Sequence, residues 1–251
     1  MSDYYRGKRT RNLYDPTSTT PFKISRGKLD LFVNCPRCFY VDRRLGVGHP
    51  PGYPFNLNSA VDELLKKEFN QYRTAQTPHP IFLEHELDLV PFDHPDLAQW
   101  QDALHAGVQW HIPGTNVLLT GGVDDVWMNP TTHELFIADY KATSKSGAVS
   151  LDADWQIGYK RQVEVYQWLL RQNGFTVSDT AFFVYCNGNR DRDRFDKQLH
   201  FDVSLLPYTG NADWVDGAIR GAHRCLAGGT TPPPSTSCDF CVYVAALSKA
   251  V

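Results

Sequence analysis

Acidic side chains inside apolar runs are the first sign of chemistry in this 251-residue chain. Gly121-Gly122-Val123-Asp124-Asp125-Val126 is followed by Ile137-Ala138-Asp139-Tyr140-Lys141. Packing alone would place Val or Ile at the acidic positions, because a buried carboxylate is costly unless something compensates its charge. A divalent cation is an economical compensation, and carboxylate oxygens suit a hard ion such as Mg²⁺ or Mn²⁺. A lysine beside such an ion is equipped for phosphodiester hydrolysis.

The elements around these residues would gather them. Thr120–Met128 and Glu134–Thr143 flank Asn129-Pro130-Thr131-Thr132-His133, a turn by composition, and read as one antiparallel hairpin. Pairing symmetric about Thr131–Thr132 sets Asp124 opposite Asp139, and the two-residue alternation puts Asp139 and Lys141 on one face. The plainer reading is a solvated hairpin face with a surface ion pair. Val123, Val126, Leu135, Phe136 and Ile137 argue instead for a central hairpin. Asp154–Gln172 carries Tyr159, Val163, Tyr166 and Leu170 at helical spacing, with Gly174 as a stop signal. On that helix Gln162 and Tyr166 are four apart and share a face. They are either ordinary helix residues or polar tips and a stacking ring for a nucleic acid.

Gly-x-Val-Asp124, Ile-Ala-Asp139-Tyr-Lys141 and Gln162-x-x-x-Tyr166, in that order, resemble the PD-(D/E)xK nuclease superfamily. The pattern is most similar to its RecB-like exonuclease branch, which includes CRISPR-associated exonucleases with four-cysteine clusters. The resemblance runs from about Ser25 to Ala245. It implies an αβββαβ core, hydrolysis with one or two metal ions, and single-stranded or free-ended DNA as substrate. By position, Asp124 and Asp139 would hold Mg²⁺ or Mn²⁺, Lys141 would orient the attacking water, and Gln162 and Tyr166 would line the DNA path. Many RecB-like members place a metal-binding histidine on an early helix. The matching helix here, Asn58–Tyr72, has Val61, Leu64, Leu65 and Phe69 as its apolar stripe and carries Asp62 at that position. Asp62 is either a replacement ligand or, with Glu63, an acid suited to a helix start.

Cys35-Pro-Arg-Cys38 and Cys238-Asp-Phe-Cys241 form two C-x-x-C knuckles, a four-thiolate metal site if the fold joins them. The family resemblance implies a [4Fe–4S] cluster. The two-and-two split departs from the one-early, three-late pattern of that branch and keeps structural Zn²⁺ as the alternative. Disulfides and a redox motif are the remaining readings. Cys186 reads as a buried strand residue, and Cys225 as a packed helix residue.

Composition bounds the rest. A formal net charge of −3 is unlike a protein that coats nucleic acid, so contacts must come from clustered cations. Lys145 and Arg161 are candidate nucleic-acid contacts, in a groove shared with Arg43, Arg44, Lys66, Lys67, Lys141 and Lys160. Arg6, Lys8, Arg9 and Arg11 make residues 1–24 a basic, flexible arm. Residues 25–251 read as one α/β domain, a mixed sheet flanked by helices with an added helical and cysteine-cluster lobe. Ile81–Val90 is expected as the first core strand, Asp96–Trp110 as a helix, Thr180–Cys186 and Gln198–Val203 as strands, and Ala212–Leu226 as a helix. Ser25 is expected to cap a helix through Phe32, and Gly46–Pro54 to form a loop. No apolar run is long enough to cross a bilayer, and with no targeting segment a cytoplasmic setting is expected. The competing functional readings are a degenerate nucleic-acid-binding module and a Fe–S- or Zn-stabilised subunit of a DNA-processing complex.

Overall fold

The computed structural model describes residues 7–52 and 55–250. Arg6 of the expected arm, and Tyr53 and Pro54 of the expected loop, lie outside them. In chain order the elements are β1 (Phe22–Ser25), α1 (Arg26–Asn34), α2 (Pro36–Tyr40), a π-helical turn (Val41–Leu45), α3 (Asn56–Ala75), α4 (Pro80–Glu84), β2 (Val90–Pro91), α5 (Leu97–Gln101), β3 (Val108–His111), β4 (Val117–Gly121), β5 (Asp125–Met128) and β6 (Leu135–Thr143). A 3₁₀ turn (Asp154–Gln156) then leads into α6 (Ile157–Gln172), β7 (Thr180–Gly188), β8 (Phe201–Thr209), α7 (Trp214–Ala227) and α8 (Asp239–Ala250).

The chain divides into two compact units. One comprises the described parts of Met1–Tyr53, Gln109–Thr120 and Asp213–Val251; the other comprises those of Pro54–Val108 and Gly121–Ala212. The first unit holds a three-stranded sheet of order β1-β4-β3, with β1 parallel to β4. Its helices α1, α2 and α7 bury Leu29, Phe39, Ile219, Ala222 and Leu226. Residues 7–24 are more firmly held than a flexible arm. Tyr14 and Ile24 are buried, and Arg9 and Lys28 both pair with the buried Asp42.

The second unit holds a mixed sheet of order β2-β5-β6-β7-β8. Strands β5 and β6 are antiparallel, with Asp125 opposite Ala138 and Met128 opposite Leu135. This is the register expected from the Thr131–Thr132 turn. Strands β6 and β7 are parallel, as a crossover through α6 requires. The succession α3-β2-β5-β6-α6-β7 is the expected αβββαβ order. On one face Phe69 of α3 stacks on Trp127 and lies against Tyr140. On the other face Gln162 of α6 reaches Asp139.

Several expected boundaries move. Ile81–Val90 is not a strand: Pro80 opens α4, and His79 Nδ1 accepts the Ile81 N–H at 3.2 Å, so a capped turn wins over alternation. The expected helix Asp96–Trp110 stops at Gln101. The Asp102 carboxylate takes the amides of Leu104 and His105, and Gly107 turns left-handed at φ 76° before β3. Thr120 belongs to β4 and not to the hairpin, because the chain changes sheets at Gly122–Asp124. Strand β8 starts at Phe201 and runs to Thr209, later than Gln198–Val203. Leu64 of the expected apolar stripe is exposed, whereas Phe69 is buried. Helix α1 extends to Asn34, and Ser25 occupies its N-cap without a side-chain bond.

One buried polar group has a defined role in this unit. Asp125 is fully buried and accepts hydrogen bonds from Tyr140 Oη at 2.7 Å, Trp127 Nε1 at 3.3 Å and the Val126 N–H at 2.8 Å, and it pairs with Arg73 of α3. Burial raises its pKa, against the opposing pull of Arg73. Arg73→Met should therefore strand a buried charge and lower stability by about 3–5 kcal/mol. Urea denaturation at neutral pH would register the loss; a variant within about 0.5 kcal/mol of the parent would show the pair to be dispensable.

Candidate active site and cysteine centre

Asp124 stands just before β5, where the β5–β6 register, extended by one residue, sets it opposite Asp139. Its Oδ2 accepts the Tyr140 N–H at 2.9 Å. Asp139 lies inside β6 with no exposed surface. The Lys141 ammonium contacts its Oδ2, and Gln162 Nε2 donates to its Oδ1 at 2.7 Å. The Gln162 amide also donates to Tyr166 Oη at 3.1 Å, so the two α6 residues act as one hydrogen-bonded pair. Lys141 is held a second time, its Nζ standing 4.6 Å over the Tyr159 ring.

The glycines before Asp124 have a packing reason. A Cβ on Gly121 would come within 2.7 Å of the Tyr166 ring, and one on Gly122 would collide with Ala103. Gln101 adds support by donating to the Asp124 main-chain carbonyl at 2.7 Å.

Asp62 is on α3, half-buried, with Lys66 Nζ 2.7 Å from its Oδ2. The same ammonium is 4.0 Å from Asp124 Oδ1. Lys66 thus lies between two of the three expected ligands. It appeared in the sequence only as one of several groove cations; the Asp62-x-x-x-Lys66 spacing on one helix face is the signal that points to it. Asp62, Asp124 and Asp139 do not themselves close into a ligand cage: among the described residues the only group of three or more potential ligands within 4.8 Å of one another is the cysteine set. Lys145 is exposed on the loop after β6, its main chain clamped by Asn187, and Arg161 is half-buried on α6.

The electrostatics follow from crowding. Burial, then the nearby Asp139 charge, push the Asp124 pKa up to about 6 against the opposing pull of Lys141 and Lys66. Burial, helped by the Asp124 charge, raises the Asp62 pKa despite Lys66 and Lys141. Burial works against the Lys141 ammonium, but Asp139 and Asp124 outweigh it and hold its pKa above the ordinary lysine value. The residues fit a hard dication. Asp139 Oδ2 is buried with the Lys141 ammonium against it, and the available ligand atoms are carboxylate oxygens.

The second centre lies in the first unit. Cys35 caps α2, with its sulfur accepting the Cys38 N–H at 3.4 Å, and Cys238 and Cys241 bracket the start of α8. Arg37 Nη1 donates to the Pro232 carbonyl at 2.9 Å and ties the proline link to the first knuckle. Sulfur separations are 3.7 Å for Cys35–Cys241, 3.6 Å for Cys38–Cys238 and 3.8 Å for Cys38–Cys241. None of the six cysteines is in a disulfide. Cys186 is buried in the core, and half-buried Cys225 stays outside the four-sulfur group. No helix among the described residues is long and apolar enough to cross a membrane.

Comparison with known proteins adds the family. No curated protein matches the chain. Among solved structures, the crystal structure of SSO0001 aligns over 89% of this chain and 84% of its own, at 14% sequence identity and a TM-score of 0.37, a likeness too low to bear on function. The model of the PD-(D/E)XK nuclease superfamily matches residues 56–246. The architecture agrees, a central mixed sheet flanked by helices with αβββαβ order, and the chain belongs to the PD-(D/E)XK nuclease superfamily, a family of metal-dependent nucleases.

Proposed function

We propose that the protein is a Mg²⁺- or Mn²⁺-dependent deoxyribonuclease of the RecB-like branch, acting on single-stranded or free-ended DNA in a reducing, cytoplasmic setting. The observation that carries this reading is the convergence of Asp124, Lys141 and Gln162 on the buried Asp139. Asp124 and Asp139 would hold the ion, with Asp62 as a third carboxylate nearby. When bound, the ion supplies Lewis acidity toward the phosphate and lowers the pKa of a water. Lys141 keeps its proton at neutral pH and stabilises negative charge developing on the phosphate. Gln162 and Tyr166 fix the Asp139 carboxylate and line the strand's path. Lys66 neutralises Asp62 and Asp124 until the ion takes that role.

The cysteine centre supports one tetrahedral ion over a [4Fe–4S] cluster. Four sulfurs at about 2.3 Å from one Zn²⁺ stand about 3.8 Å apart, which matches the observed separations. A cubane places each thiolate on a different iron and needs a wider opening. We assign it as structural Zn²⁺.

Cleavage of labelled single-stranded DNA with Mn²⁺ tests the catalytic assignment. Asp139→Asn and Lys141→Met should each lower the rate at least about 100-fold while the fold and DNA binding persist. Equal cleavage by Asp139→Asn and parent would end it, and binding without cleavage by the parent would favour a degenerate binding module. A pH dependence follows from Asp124. Its folded pKa lies above the unfolded value, so the ion-free fold loses stability as pH rises from about 4 to about 6. Ion binding must displace that proton, so apparent Mn²⁺ affinity should fall roughly tenfold per pH unit below about 6. Calorimetric titration at about pH 5 and about pH 7 checks this, a flat profile being the contrary result. Elemental analysis of purified protein should give one zinc per chain and a colourless solution; a brown protein carrying four irons would reinstate the cluster.

A further inference from the structure

Beside Lys141 the second unit opens into a cavity of about 430 Å³, the size of many small-ligand sites. Its wall begins where the catalytic strand ends, at Ala142–Ser144, and is completed by Phe55, Leu57, Tyr159, Leu199 and Phe201. Phe55 is 75% exposed, Leu57 60% and Leu199 40%, a concentration of bare apolar surface that packing does not explain. Trp155, also largely exposed, stands edge-on to Tyr159 with ring centroids 5.4 Å apart.

Two features say what enters. First, Tyr159 is shared: its ring is both a wall of the cavity and the surface beneath the Lys141 ammonium. Whatever lies on that ring is therefore within one nucleotide of a phosphate held at Lys141. Second, two polar side chains of the wall are already committed. Asn58 Nδ2 donates to the Ala142 carbonyl at 2.9 Å, and Ser144 Oγ donates to the Gly188 carbonyl at 2.9 Å. Apart from the Thr143 and Tyr159 hydroxyls, what remains is aromatic and aliphatic, suited to the flat face of a base and poor at reading its edge. The Lys141 ammonium, over the shared Tyr159 ring, is the cation nearest to hand for the strand's phosphate.

We infer that this cavity receives an unpaired nucleobase of the strand being cut, adjacent to the scissile phosphate and with little regard for base identity. The inference rests on the nuclease reading above and narrows it. A duplex hides the faces of its bases, so the cavity selects single-stranded DNA or a frayed end.

The full chain carrying Asp139→Asn, which prevents cleavage, is titrated with a fluorescent thymidine strand of about 12 nucleotides, the same strand with abasic units, and a blunt duplex. The base-bearing strand should bind roughly 5- to 100-fold more tightly than the abasic one, the range expected for stacking. Adding Phe55→Ala and Leu199→Ala, both at exposed positions, should abolish that preference and leave duplex binding unchanged. Equal affinity for base-bearing and abasic strands, an unaltered preference in the added variant, or tighter binding of the duplex would each overturn the inference. Parallel cleavage by the protein with Asp139 intact keeps the two readings apart. Cleavage of both strands with no base preference removes the cavity's role and leaves the nuclease. A base preference without any cleavage keeps the cavity and removes the nuclease.

Discussion

Tyr140 couples the two faces of the central sheet, and the candidate site depends on that coupling. Its main-chain N–H goes to Asp124 on one face, and its hydroxyl goes to Asp125 on the other. It also sits between Asp139 and Lys141 in sequence. One residue therefore fixes the position of one aspartate, satisfies the second and spaces the third from the lysine. Slipping β6 by a single residue would exchange the faces and place Asp139 against Phe69 and Trp127. Arg73 and Trp127 complete the anchorage of Asp125, so the register is held by a satisfied polar cluster behind the sheet.

Asp124 and Asp125 show how adjacent identical residues acquire opposite tasks. Alternation sends Asp125 into an interior that supplies every partner it needs. It leaves Asp124 in a crowded acidic cluster where part of its charge remains uncompensated. The raised Asp124 pKa expresses a local shortage of positive charge. Lys141 and Lys66 supply part of it, from the strand and from α3.

The hairpin was legible because the turn at Thr131–Thr132 is symmetric and the two-residue period then fixes the faces. Helix α6 was legible from its apolar stripe and its stop at Gly174, which is left-handed at φ 91°. The cysteine knuckles were legible from spacing alone. The role of Asp125 was not, because its counter-ion, Arg73, is 52 residues away and only packing brings them together. Lys66 was hidden among other lysines for the same reason. The strand expected at Ile81–Val90 failed through local chemistry: a proline at a helix start and a histidine cap override an alternating pattern. The short α5 reflects a side chain, Asp102, that competes for main-chain amides.

The sulfur cluster spans an unusual stretch of chain. Cys35 and Cys241 meet across 206 residues, with the entire second unit encoded between them. During synthesis the first pair of thiols leaves the ribosome long before its counterpart, by on the order of ten to forty seconds at ordinary elongation rates. Over that interval the early thiols must escape oxidation and stray partners, and a prematurely terminated chain never completes the quartet. Closure of the centre thus records that translation reached α8.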